Sequence, residues 1–123
     1  LTEQHRETVH RLNKSGEDII AGLDARKAQA LHMILGISGE AGELLDAIKK
    51  WAIYGKPLDR ENVIEELGDL EFYLEGLRQV LGVIKDDTLR ANIEKLERRY
   101  HTGSYSDEQA RDRADKIDRS DYE

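Results

Sequence analysis

The chain has 123 residues, 19 basic and 26 acidic side chains and a formal charge of −7, a length that suits a single domain with one modest hydrophobic core. One proline and no cysteine exclude Pro-rich low complexity, disulfides, thiolate zinc sites and cysteine nucleophiles, and no run resembles a signal peptide or a membrane span. The negative charge argues against binding a nucleic-acid polymer, and any phosphate chemistry here needs metal ions to offset repulsion.

Apolar residues recur with helical spacing nearly throughout, and no alternating run reads as a strand. Thr2 to about Lys14 is a polar helix closed by Ser15-Gly16. A long helix follows from about Asp24, a plausible N-cap, to Tyr54, with Gly55 as its stop. Lys56-Pro57-Leu58 is the turn. Asp59 caps a second long helix carrying Val63, Leu67, Leu70, Leu74, Leu77 and Leu81, which Gly82 loosens. Asp86 or Asp87 caps a helix from about Thr88 to Tyr100, ended by Gly103. Ser106-x-x-Gln109 reads as a capping box for a short helix, and the tail from Asp112 to Glu123 is charged and is expected to be solvated and partly disordered. The expectation is an all-α helical bundle built on a long antiparallel hairpin. Such a hairpin buries one face only, so a second copy is expected to complete a four-helix core.

Acidic pairs three residues apart are common in so acidic a chain, and most are solvated helix faces. The face they occupy decides their meaning. Winding the first long helix at about 100° per residue puts Met33, Ile37, Leu44, Ala47 and Trp51 on one stripe with Glu40 in its middle. Glu43 sits one step aside, on an edge with Gly36, His32 and Lys50. On the second helix Glu66 borders the stripe and Asp69 lies just beyond, beside Asn62 and Tyr73, whereas Glu65, Glu71 and Glu75 point to solvent. Inward carboxylates carry a large desolvation cost unless something positive compensates them. Four of them on facing helices, with no His or Cys among them, suit a hard cation such as Mg²⁺ or Mn²⁺. The plainer reading pairs Glu40 and Glu66 with Lys or Arg across a helix interface. Charge is also uneven. Residues 59–76 hold seven acids against Arg60, and residues 88–101 hold Arg90, Lys95, Arg98 and Arg99 against Glu94 and Glu97. An acidic hairpin followed by a basic helix suits a metal–polyphosphate substrate, or simply a basic helix docked on an acidic one.

Glu40-Ala-Gly-Glu43, 22 residues, then Glu66-Leu-Gly-Asp69 resembles the ExxE…ExxD signature of MazG-like all-α nucleotide pyrophosphohydrolases. The surroundings are similar too: Leu35-Gly-Ile-Ser-Gly-Glu-Ala-Gly-Glu-Leu, Tyr54-Gly-Lys, Glu65-Glu-Leu-Gly-Asp-Leu-Glu-Phe-Tyr-Leu, and Ala91-Asn-Ile-Glu-Lys-Leu-Glu-Arg-Arg-Tyr. The likeness covers about residues 29–113, around a core of about 24–103, within one domain of residues 1–123. It implies a Mg²⁺-dependent enzyme, with Mn²⁺ as a substitute, that cleaves nucleoside triphosphates between the α and β phosphates. Glu40, Glu43, Glu66 and Asp69 would hold metal. One of them would also activate water, Glu43 before Glu40, although sequence does not separate the two. Tyr73 stands where the family has a phosphate-contacting tyrosine. Asn92 and Lys95 would contact sugar or phosphate, with Arg98, Arg99, Lys50 and Lys56 adding positive charge.

For the base, Trp51, Tyr54, Phe72 and His32 are the stacking or edge-reading groups. Trp51 reads more readily as core and His32 as hydrogen-bonded within the bundle, while Tyr73 is equally readable as ordinary packing. No motif names the base. The run from Leu35 looks closest to short bacterial and phage members, which keeps dGTP among the candidates and implies a cytoplasmic homodimer or homotetramer. Two rivals stand against the enzyme. A di-iron carboxylate bundle needs two Glu-x-x-His motifs, and only Glu7-Thr-Val-His10 is present. A non-catalytic helical scaffold would use the acids as salt-bridge partners.

Overall fold

The computed structural model describes residues 1–113, and these are helical with no strand. They fall into two compact units, one of residues 1–80 and one from residue 81 onward. The first holds α1 (Thr2–Leu12), α2 (Gly16–Gly22), α3 (Ala25–Ala52) and α4 (Arg60–Leu81), whose last residue crosses the boundary. The second holds α5 (Lys85–Arg99) and α6 (Asp107–Asp112).

The long helices start where their capping carboxylates fall. Asp24 Oδ1 accepts from the Lys27 amide at 2.8 Å, and Asp59 Oδ1 accepts from the Asn62 amide at 3.1 Å, each satisfying an amide that the first helical turn leaves unpaired. Gly55 ends the first of them. With φ of +66° it takes the left-handed conformation that a side chain disfavours, and the Lys56 amide closes back on the Lys50 carbonyl.

α3 and α4 then run antiparallel, side by side. Arg26 Nε donates to the Val80 carbonyl at 3.1 Å, tying the start of α3 to the end of α4. Further along, Met33 lies against Gly76 and the Tyr73 ring against Gly36. Each helix thus offers a glycine notch to a large side chain of the other. Met33 is the one large apolar side chain fully buried among the described residues; Ile37, Leu44, Ala47, Leu70, Leu74 and Leu77 are half-buried.

Several elements differ from expectation. Ser15 does not merely close α1: its hydroxyl accepts from the Asp18 amide and starts α2, a helix the sequence reading did not include. Gly82, at φ +69°, ends α4 rather than loosening it. α5 begins at Lys85 behind Ile84, which makes no side-chain cap, so Asp86 and Asp87 lie inside its first turn, where their charge favours the helix dipole. The Ser106 cap forms as expected, accepting from the Gln109 amide at 3.1 Å. Trp51 is 48% exposed and Leu67 is also exposed, so neither is a core residue of the hairpin. The centre of α4's inward face lies nearer Glu66, Tyr73 and Leu77. Residues 114–123, most of the charged tail, lie outside the described residues.

Candidate metal centre

One helical turn from the Gly36–Tyr73 contact, α3 presents Glu40 and α4 presents Glu66 and Asp69. Glu40 lies four residues beyond Gly36 and Asp69 four before Tyr73, so each pair shares a helix face. One carboxylate oxygen from each of the three acids lies within 4.8 Å of the others. Glu40 and Glu66 are half-buried and Asp69 is exposed, which gives a cluster with one open side.

The electrostatics are those of a site short of positive charge. Among the described residues no Lys or Arg pairs with any of the three acids. Glu66 Oε2 is buried with no hydrogen-bond partner. The Glu66 carboxyl is pushed up to about 7. The largest cause is the hydrogen bond it shares with the Glu40 carboxyl; next come desolvation, the Glu40 charge, and the charges of Asp69 and Glu43. Without a cation, the Glu66 carboxyl is therefore divided between its protonated and charged forms near neutral pH. Three carboxylates without nitrogen or sulfur ligands, one with an orphaned oxygen, fit a hard divalent cation.

Glu43, the fourth expected ligand, is exposed and outside the trio, though close enough for its charge to act on both Glu66 and Lys50. Lys50 is already engaged: its Nζ lies 2.9 Å from Asp46 Oδ2, which holds the lysine above its ordinary pKa and the aspartate below. That pairing went unread, although the i, i+4 spacing of Asp46 and Lys50 carries its signal. Lys50 and Lys56 line a hollow of about 290 Å³ at the hairpin turn with Asp59 and Asn62. The His32 ring meets Tyr73 edge-on at 6.2 Å, and Phe72 meets Tyr73 at 5.1 Å while remaining 65% exposed. Tyr54 is exposed under Lys49. Asn92, Lys95, Arg98 and Arg99 all lie on α5, in the second unit; Asn92 and Arg98 are exposed, Lys95 and Arg99 half-buried.

Compared with known protein families, residues 28–103 match the MazG nucleotide pyrophosphohydrolase domain. The comparisons with curated proteins and with solved structures give no match.

Proposed function

The chain belongs to the MazG nucleotide pyrophosphohydrolase family, and from that premise we propose a Mg²⁺-dependent hydrolase that cleaves a nucleoside triphosphate, deoxy or ribo, between the α and β phosphates. The observation that carries the reading is the orphaned Glu66 oxygen within a three-carboxylate cluster that has no basic partner. Glu40, Glu66 and Asp69 would hold the cation, with Glu43 at the margin. When bound, a divalent cation offsets the charge of the triphosphate, polarises its phosphoryl oxygens and makes a water molecule more acidic.

The chain's own groups do the rest. The water oxygen would bond to one phosphorus of the α–β bridge as that bridge breaks, giving a nucleoside monophosphate and pyrophosphate. The proton lost by the water passes to a carboxylate. Glu43 is our choice for it, because it stands beside the trio rather than within it, and Glu40 is the alternative. Lys50, Lys56 and the Tyr73 hydroxyl would meet phosphate oxygens. Lys95, Arg98 and Arg99 are cationic donors, and Asn92 a neutral one, suited to the triphosphate or sugar. His32 and Trp51 offer ring faces or edges to the base, and a purine deoxynucleotide such as dGTP is the first substrate to try.

The assembly would be a homodimer or homotetramer acting on cytoplasmic nucleotide pools of a bacterial cell or a phage-infected host. Support for assembly comes from α3, whose side opposite Glu40 exposes Leu31, Ile34, Leu35 and Leu45. No helix among the described residues is long and apolar enough to cross a membrane.

The test is to incubate the protein with Mg²⁺ and a panel of NTPs and dNTPs and identify the phosphate product. Pyrophosphate is expected. Orthophosphate as the product would place cleavage at the γ phosphate and overturn the assignment.

A further inference from the structure

We propose that Gly36 and Tyr73 form a positioning pair that sets the spacing of the metal-binding carboxylates, so that the affinity for a divalent cation depends on the absence of a side chain at residue 36. The proposal rests on the functional reading above and adds to it residues that do not touch the cation. A Cβ at Gly36 would overlap three ring atoms of Tyr73, Cγ, Cδ1 and Cε1. That ring also stands in T-shaped contact with the rings of His32 and Phe72. A stiff ring held in this way has little room to turn aside, so a methyl at residue 36 moves the helices apart instead.

The displacement would fall one turn, about 5.4 Å, from Glu40 on α3 and from Asp69 on α4. Mg²⁺ demands oxygen ligands at about 2.0–2.1 Å in near-octahedral array, whereas Ca²⁺ accepts about 2.3–2.6 Å and looser geometry. A small separation therefore acts on the smaller ion first.

Two other glycines separate this effect from general packing. A Cβ at Gly76 would meet chiefly Met33 Sδ, near the free end of an unbranched, flexible side chain in place of a rigid ring. Gly68 has nothing within reach of a Cβ and shares its side of α4 with the exposed acids Glu65 and Glu71. All three positions are mid-helix and gain the same helix propensity from alanine.

The experiment is Mn²⁺ titration of the full chain, followed by displacement with Mg²⁺ and Ca²⁺, with circular dichroism on every variant. We expect Gly36→Ala to weaken Mn²⁺ and Mg²⁺ binding about tenfold, the lower end of what losing an outer-shell support costs a metal site, and Ca²⁺ binding less. Gly76→Ala and Gly68→Ala should bind as the native chain does. Tyr73→Ala should weaken binding alone, and adding Gly36→Ala to it should cost nothing further, because the overlap is gone. That arm also serves if Gly36→Ala alone does not fold. Native affinity in Gly36→Ala, or simple additivity in the double variant, overturns the proposal and leaves the metal reading intact. No Mn²⁺ binding by the native chain overturns both.

Discussion

At Glu66 a proton and a divalent cation compete for the same oxygens. In the metal-free chain its carboxyl titrates at about 7 against an ordinary 4.5. Between those values the folded chain keeps a proton that the unfolded chain has lost. The contribution of this group to metal-free stability is therefore fully present below about pH 4.5 and is lost as pH rises through about 7. Thermal unfolding in EDTA across this range should show the decline, and Glu66→Gln should flatten that part of the profile. Metal affinity should climb through the same window, since binding expels the proton. Substituting Glu40→Gln or Asp69→Asn should leave the fold intact or more stable, because each removes a charge that lacks a partner. Hydrolysis in these variants should fall at least about 100-fold, the scale of losing one preorganised electrostatic group. Placing Glu40, Glu66 and Asp69 together was legible in the sequence because a helix repeats rigidly and puts these acids on or beside the facing sides of the two helices; the exposure of Glu43 was not. The Gly36–Tyr73 contact was not, since a glycine shows nothing of what crosses it from another helix.

At the element scale, the long helices were readable wherever a local chemical signal marks an end. Asp24, Asp59, Gly55 and Ser106 all act where expected. The reading faltered where one signal serves two purposes. Ser15-Gly16 stops one helix and starts another, and the pair of aspartates at 86 and 87 sits inside α5 instead of capping it. Most of α4's leucine stripe faces inward as read, with Leu67 exposed and Glu66 and Tyr73 joining the inward side, where the notches at Gly36 and Gly76 let the two helices meet. Removing the Asp24 cap should be measurable. Asp24→Ala should cost about 1 kcal/mol, the usual loss for an N-cap, read as a lower midpoint in chemical denaturation.

For the whole molecule, the described residues bury Met33 and little else fully, while α3 carries apolar side chains on both of its faces. Folded stability from so thin a core is marginal. An aspartate in place of Leu35 or Leu45 should shift the particle mass measured by light scattering toward one chain and lower the thermal midpoint. The central claim is that the carboxylates turned inward on the hairpin, and not the chain's abundant surface acids, carry the hydrolysis. The most direct test compares Mg²⁺-dependent pyrophosphate release by the native chain, by Glu66→Gln, and by Glu65→Gln, its exposed neighbour. The account predicts release from the native chain and from Glu65→Gln and almost none from Glu66→Gln; equal release from all three would contradict it.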